Sequence, residues 1–413
     1  MQIQILSRLP VESLMRFKCV CTRWKSLISE DPWLVELHNN HSKKQPCLVV
    51  VPKQIKARID ECTQRSYKLK SYLTASLSVE RKTRQTTTMH TLSKRESNFM
   101  VFDYVIGPVN GLFGFAENYI STVTIYNFST QEVVQQCSMP TLLTKSKQYP
   151  CYVAVPDSQH YFFGFDSTIN KYKVVCVWRV QDCQACEVFT LNSSITWKKI
   201  DQVIPPCCFH EKYVFANNSI YWRSSVKDLR SLRFFVEQLS KIDTSNDEVL
   251  VAFDLGSEKF RVIHVPNFVP PRNSHLDLSC PDGRTFKFHP VLLEVDGRVV
   301  ISNRLDYDII ELYVMDDECV NKVNANMMNW SKESIEVPIV LNYAWIVVYS
   351  LPGSDYILLV CYNCHAKIRS PSLYFYNRKK KTFKMIIFDE WGSNFHHPYM
   401  YSTFVESLSP FRF

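Results

Sequence analysis

One short sequence motif occurs five times in this chain and limits its fold more than any other feature. We call each copy a phrase. In each copy an apolar strand runs into Asn or Asp, a polar turn follows, and a second strand completes a hairpin. The copies read TVTIYNFSTQEVVQQ, CEVFTLNSSITWKKI, VLVAFDLGSEKFRVIHVP, ELYVMDDE…NWSKESIEVP and SLYFYNRKKKTFKMIIF, and partner strands such as LFGFAE and DYILLVCYN lie between them. Such repetition predicts the blades of a β-propeller, in which each small sheet buries its faces against its neighbours.

We therefore expect an α+β multidomain chain whose larger part is an all-β domain, a β-propeller with six blades. Five blades contain the five phrases, and residues 401–408 are expected to pair with strands within residues 47–105 to complete the sixth. That pairing hides a sheet edge that otherwise stays open. A β-sandwich predicts the same hairpins one by one, and the repeat favours radial closure instead. Tryptophans on the strands, such as Trp222 and Trp391, are expected to fill the wedges between blades.

Residues 1–40 have a different periodicity, with apolar side chains at every third or fourth position. This spacing predicts three or four short helices. Ile5, Leu6 and Leu9 are expected to share one helix face, and Asp31 followed by proline marks a helix start. The apolar stripe continues through Leu14, Phe17, Val20, Cys21, Trp24, Leu27 and Ile28. A segment this short cannot enclose a core of its own. The stripe is expected to press onto another protein, and the alternative is that it docks on the rest of this chain.

The amino-acid sequence of this segment gives a second argument that the stripe binds another protein. The run ILSRLPVESLMRFKCVCTRWKSLISEDP resembles the F-box of plant F-box proteins. In that family the motif binds a Skp-type adaptor, which joins it to a cullin–RING ubiquitin ligase. The resemblance implies an adaptor-binding set of Leu9, Pro10, Leu14, Phe17, Val20, Cys21, Trp24 and Leu27. Gln4 stands where the family often has a carboxylate, and the first helix is shorter than usual. Either adaptor affinity is expected to be reduced, or the start codon is misassigned.

The β-rich part resembles the plant F-box-associated domain over residues 101–410. The resemblance rests on IGPVNGLFGF, YNFSTQEVV, YFFGFDSTINKYKVVCV, SIYWRS, AFDLGSEKFRVIHVP and ESLSP. Phe128 stands where the family usually has proline, so that turn is expected to differ in shape. The resemblance implies that this domain captures a target protein for ubiquitination. The expected domains are an F-box at 1–40, a basic connector with the first strands at 41–98, and the β domain at 99–413.

The positive charge is concentrated in the connector. The whole chain carries 48 Lys and Arg against 40 Asp and Glu, a net charge of +8. Residues 43–95 hold 13 of these bases and three acids, a local balance of +10 that leaves about −2 for the remainder. Apolar runs at 47–51 and 67–73 predict strands, whereas 86–88 and 93–97 are expected to be solvated loop. Aromatic residues are sparse here, so a nucleic-acid partner is not expected.

No catalytic motif assembles in the sequence. It lacks a Gly-x-Ser-x-Gly elbow, a Walker phosphate loop, a dinucleotide glycine fingerprint and a His-Glu-x-x-His pair. Cys183 with Cys186 and Cys361 with Cys364 could together supply four zinc ligands. Cys361 lies in an apolar strand, however, so core or loop thiols are expected, and we assign no catalytic residue, cofactor or metal. A propeller hydrolase or lyase remains an alternative for which no residue set can be named.

Composition sets the expected compartment. No apolar stretch approaches the roughly 20 residues that span a bilayer, so no membrane partner is expected. The 15 cysteines are scattered without a disulfide framework, which predicts reduced thiols in the cytoplasm or nucleus. The expected function is the substrate-recognition subunit of an SCF-type E3 ubiquitin ligase. The alternative is an interaction scaffold with a degenerate F-box that recruits no ligase.

Overall fold

Four short helices open the chain in a computed structural model of the protein. They are α1 (Gln2–Leu6), α2 (Val11–Phe17), α3 (Thr22–Glu30) and α4 (Pro32–Ser42), which we call the helical module. The structure describes residues 2–42, 47–52, 67–76, 86–88, 93–117, 122–138, 140, 158–180, 183–193, 196–205, 213–226, 248–279, 285–316, 330–338, 341, 344–350, 356–363, 372–387, 398–404, 406 and 408. No helix in this part of the chain is both long and apolar enough to cross a membrane.

A β-propeller follows the helical module, with five blades that are antiparallel meanders of four consecutive strands. Blade 1 contains β5 (Tyr104–Val109), β6 (Leu112–Glu117), β7 (Thr122–Asn127) and β8 (Glu132–Cys137). Blade 2 contains β9 (Ser158–Asp166), β10 (Lys171–Val180), β11 (Cys183–Thr190) and β12 (Lys198–Lys199). Blade 3 contains β13 (Val214–Ala216), β14 (Ser219–Ser225), β15 (Glu248–Asp254) and β16 (Lys259–His264). Blade 4 contains β19 (Val291–Val295), β20 (Arg298–Arg304), β21 (Ile309–Met315) and β22 (Trp330–Glu336). Blade 5 contains β23 (Ala344–Ser350), β24 (Tyr356–Asn363), β25 (Ser372–Asn377) and β26 (Thr382–Ile387).

The five phrases of the sequence form the last two strands of the five blades, from β7–β8 in blade 1 to β25–β26 in blade 5. A separate hairpin, β17 (Leu276–Ser279) with β18 (Thr285–Phe288), lies between blades 3 and 4. It belongs to no repeat, which is why the pattern of the sequence did not predict it.

The two ends of the chain share one further sheet, in the order β27–β1–β2–β4. These strands are β1 (Cys47–Pro52), β2 (Tyr67–Ser76), β4 (Ser93–Phe102) and β27 (Pro398–Phe404). Val50 lies opposite Tyr401, so the expected pairing of the two ends is confirmed. Strand β27 also contacts β23 of blade 5 and β5 of blade 1, which places this terminal sheet between them.

The prediction of six blades is wrong, because five blades repeat and the terminal sheet has a different construction. Its strands come from both ends of the chain, and the intervening β3 (Thr86–Thr88) instead pairs in parallel with β26 of blade 5. The prediction of loop at 86–88 and 93–97 is also wrong, since these residues form β3 and the start of β4. Open edges of neighbouring strands offer hydrogen-bond partners that local polarity does not reveal. Connector residues 43–46, 53–66, 77–85 and 89–92 lie outside the described residues.

Apolar clusters join each blade to the next. One cluster combines Phe162 of blade 2 with Trp222 of blade 3, whose rings stack with centroids 5.3 Å apart. Further clusters join blades 1 and 2, blades 3 and 4, and blades 4 and 5. Because each of these clusters lies between two sheets, the blades bury their apolar faces against their neighbours. The expected packing role is therefore confirmed for Trp222, whereas Trp391 lies outside the described residues.

The turn after β7 shows why phenylalanine replaces the proline that the family resemblance predicts. The Asn127 side-chain Oδ1 accepts hydrogen bonds from the backbone N–H groups of Ser129 at 2.8 Å and Thr130 at 3.3 Å, which fixes the turn. Phe128 is buried, and its ring lies edge-on to Phe113 with centroids 4.7 Å apart. An aromatic side chain at this position therefore contributes to the core of blade 1.

Candidate functional site

The helical module encloses a small core that the opposite end of the chain completes. Its buried side chains are Leu6, Val11, Leu14, Ile28 and Leu34, together with Leu408. The backbone N–H of Val11, at the start of α2, also donates to Glu406 Oε2 at 3.1 Å. Part of the apolar stripe thus docks on its own chain, as the alternative interpretation of the sequence held. The remainder of the stripe is the candidate site.

Local signals position α4 as the sequence predicts. Asp31 Oδ1 accepts a hydrogen bond from the backbone N–H of Leu34 at 2.9 Å, so this carboxylate caps the helix that begins at Pro32. At the other end of α4, His38 Nε2 lies 3.2 Å from the carbonyl oxygen of Leu9 in the α1–α2 connection. Burial lowers the pKa of His38 to about 4, with a smaller lowering by the neighbouring His41, so the imidazole is neutral at physiological pH.

The structure divides the eight predicted binding residues into three groups. Leu14 is 0 % exposed and forms the first group, inside the core. Half-buried side chains that pack on the core form the second group, namely Leu9, Phe17, Trp24 and Leu27. Exposed residues form the third group, namely Pro10, Val20 and Cys21. We call the second and third groups the exposed stripe.

Aromatic packing shapes the middle of the exposed stripe. Phe17 ends α2 and Trp24 lies in the first turn of α3, and their rings meet edge to face with centroids 4.8 Å apart. Val20, in the connection between these helices, leaves 67 % of its surface to solvent. An edge-to-face aromatic pair beside an uncovered valine presents rigid apolar surface, which is typical of protein interaction sites.

Two exposed apolar side chains of the helical module are absent from the predicted adaptor-binding set. Ile5 and Trp33 are each 59 % exposed, whereas their neighbours Leu6 and Leu34 are buried. Adjacent residues point about 100° apart on a helix, so a buried Leu34 turns Trp33 away from the core. The prediction that Ile5 shares the inward face of Leu6 is wrong for this reason.

A groove lies beside Trp33. Its volume is about 980 Å³, and α1, α3 and the start of α4 line it. The lining residues are Gln2, Ile3, Gln4, Arg23, Ser26, Leu27, Glu30, Asp31, Pro32 and Trp33. Leu27 belongs to both the groove and the exposed stripe, so a partner can contact the two together.

Cysteines and other metal-ligating residues give no competing site in the described part of the chain. Among these residues, no group of three or more His, Cys, Asp or Glu is arranged to hold a metal ion. Cys186 lies in the cluster between blades 2 and 3, and Cys361 lies in the cluster between blades 4 and 5. Burial raises the pKa of the Cys361 thiol to about 12, so it stays protonated. Cys364 lies outside the described residues.

Comparison with known proteins decides the family. A family model for the F-box associated beta propeller domain matches residues 62–408, and a model for the F-box domain matches residues 1–35. The chain belongs to the F-box associated β-propeller family. The F-box match covers α1 to α3 and the start of α4. It includes all eight predicted residues, the exposed Ile5 and Trp33, and all ten lining residues of the groove.

Similar curated proteins have F-box in their names. F-box/LRR-repeat protein At2g40920 of Arabidopsis thaliana is 26% identical over 344 residues, which cover 81% of this chain and 67% of the relative. F-box protein At2g40925 of the same plant is 25% identical, over 79% of this chain and 72% of the relative. F-box/kelch-repeat protein At3g23880, also from Arabidopsis thaliana, is 31% identical over 182 residues, 43% of each chain. The first two matches each cover about four fifths of this chain.

Proposed function

We propose that this protein is the substrate-recognition subunit of an SCF-type cullin–RING E3 ubiquitin ligase in a plant cell. The F-box binds a Skp-type adaptor and, through it, a cullin, while the propeller binds a target protein. The observation that carries the proposal is the apolar surface of the F-box that its own chain leaves uncovered, above all Val20, Ile5 and Trp33. The matches of the F-box model and the F-box associated propeller model to the two parts of the chain support these two separate binding roles.

The proposed adaptor contacts are the exposed stripe and the groove beside it. Phe17, Trp24 and Leu27 are half-buried and held by the core beneath them, so little side-chain entropy is lost when a partner covers them. Leu14 supports these residues from inside the module. Ile5 and Trp33 extend the proposed contact across α1 and α4, which enlarges it beyond the residues that the sequence predicted.

The proposed mechanism is proximity. A target held on the propeller stays close to the ubiquitin-charged enzyme that the cullin recruits, which raises the effective concentration of its lysines. Proteins of this family generally act as substrate adaptors rather than as enzymes. The proposed mechanism accordingly requires no chemical reaction to be catalysed by this chain. Reduced thiols suit this role in the cytoplasm or nucleus, where we place the complex.

A scaffold that recruits no ligase is the second candidate. One observation favours it: Glu406 and Leu408 already occupy one side of the F-box. Both candidates bind target proteins, but only the first assembles with a cullin.

Affinity purification of the full chain from plant cells with proteasome activity blocked separates the two. The ligase role predicts that a Skp-type adaptor and a cullin co-purify in amounts comparable with the chain itself. Target proteins recovered without either component would overturn the ligase role and support the scaffold.

A further inference from the structure

Two residues that follow strand β27, Glu406 and Leu408, reach the helical module from the far end of the sequence. Strand β27 ends at Phe404, which lies opposite Cys47 at the start of β1. Helix α4 ends at Ser42, so the start of β1 is the end of that strand nearest to the helical module along the chain. The antiparallel pairing therefore directs the residues after β27 towards the helices that precede β1.

Leu408 belongs to the core of the helical module. It is 5 % exposed. The other buried side chains of its cluster are Leu6, Val11, Leu14, Ile28 and Leu34. Phe17, Trp24 and Leu27 of the exposed stripe pack against the same cluster. Because protein interiors are close-packed, truncation of Leu408 leaves a void in the core on which the exposed stripe rests.

Glu406 holds the start of α2, where the local sequence supplies no cap. Pro10 precedes the helix and makes no side-chain capping hydrogen bond, and Glu12 in the first turn pairs with Arg16 at 2.7 Å. Glu406 Oε2 accepts a hydrogen bond from the backbone N–H of Val11 at 3.1 Å. This N–H lies in the first turn and has no partner within the helix. A carboxylate 395 positions away thus satisfies it.

The position of α2 determines the shape of the exposed stripe. The helix has seven residues and ends at Phe17, whose ring meets that of Trp24 in α3 with centroids 4.8 Å apart. The exposed Val20 lies in the connection between these two helices. Isolated helices of this length are unstable in water, so α2 depends on tertiary contacts for its position. A shift of α2 therefore displaces the aromatic pair and the valine.

We propose that Glu406 and Leu408 are positioning residues for adaptor binding, because they hold α2 and the exposed stripe in the arrangement that a Skp-type adaptor binds. This inference rests on the proposed function, since it names what maintains that same site. It also gives these two contacts an effect opposite to the one that favours the scaffold. Residues that position the stripe strengthen adaptor binding, whereas residues that cover the adaptor site weaken it.

Side-chain truncation in the full-length chain distinguishes the two effects. Leu408→Ala and Glu406→Ala are each expected to weaken binding of a purified Skp-type adaptor at least fivefold in biolayer interferometry. Glu406→Gln keeps a side-chain oxygen that accepts from the Val11 N–H, so it is expected to bind the adaptor more tightly than Glu406→Ala. Unchanged or tighter adaptor binding in either alanine variant would overturn the role of that residue. Equal affinities of the two Glu406 variants would contradict the hydrogen-bond argument.

Matched truncations in the propeller test whether position matters. Leu341 is 4 % exposed in the cluster between blades 4 and 5, so Leu341→Ala removes an equally buried leucine far from the helical module in sequence. Glu132→Ala, at an exposed glutamate of β8, is the corresponding control for Glu406→Ala. Both controls are expected to keep the adaptor affinity within twofold of wild type. A loss in Leu341→Ala equal to that in Leu408→Ala would overturn the proposal, since general destabilisation would then explain both.

Hydrogen exchange measures the position of α2 without the adaptor. In Leu408→Ala and Glu406→Ala, the α2 amides are expected to exchange at least tenfold faster than in wild type, while those of β24 in blade 5 keep their rates. Faster α2 exchange in the variants, combined with a wild-type chain that binds no adaptor, would overturn only the ligase role. Unchanged α2 exchange in variants of a chain that binds the adaptor would overturn only the positioning role.

Discussion

Replacing Val20 by Asp is expected to weaken binding of a Skp-type adaptor by roughly 100-fold or more while the chain stays folded. The free protein leaves 67 % of Val20 exposed, so about two thirds of a valine's burial energy, about 1–2 kcal/mol, is available to a partner. An aspartate at this position loses this contribution. It also places a charged group in an apolar contact, and this desolvation makes the free energy of binding less favourable by an additional amount of about 1–3 kcal/mol. A total near 3 kcal/mol corresponds to about 100-fold in the dissociation constant.

A matched control tests whether the position matters. Val133 on β8 is 57 % exposed, so Val133→Asp makes the same chemical change on the propeller, far from the F-box in sequence. Biolayer interferometry with purified adaptor compares the two variants, and circular dichroism checks that both are folded. Wild-type affinity in a folded Val20→Asp variant would refute the assignment of the exposed stripe to the adaptor.

Two further predictions concern stability. A Cβ at Gly164 would lie 2.5 Å from Leu255 Cδ1 in the next blade, so Gly164→Ala is expected to lower the free energy of unfolding by about 1–3 kcal/mol in urea titrations. Gly256→Ala, whose added Cβ would lie 3.2 Å from Asn218 Nδ2, is expected to cost less, and equal losses would contradict the packing argument. Since the folded-state pKa of His38 is about 4 and the unfolded value is 6.5, the unfolded chain binds more protons between these values. Stability of the F-box is therefore expected to fall by about 2 kcal/mol from pH 7 to pH 5, measured by hydrogen exchange of α4 amides, and a His38→Gln variant is expected to lose this dependence.

Repetition made most of the propeller predictable. The five phrases predicted five hairpins, and each forms the last two strands of a blade. Pairing of the two chain ends also followed from the need to close an edge, as Val50 opposite Tyr401 shows. The blade count was overestimated because the terminal sheet does not contain the repeated motif. The strand β3 pairs with β26 of blade 5 instead of with the terminal sheet.

The candidate site was less predictable, because periodicity reveals an apolar face but not what covers it. Leu408 and Glu406, almost four hundred residues away, cover part of the stripe. Leu14 therefore belongs to the core, and Trp33 to the surface.

The central claim is that a second protein covers the apolar surface of the F-box. Isothermal titration calorimetry of the full chain with a purified plant Skp-type adaptor measures this directly. The account predicts one-to-one binding with a dissociation constant of about 1 μM or tighter and a negative heat-capacity change, the mark of apolar burial. Absence of binding at adaptor concentrations up to about 100 μM, with the F-box folded, would contradict it.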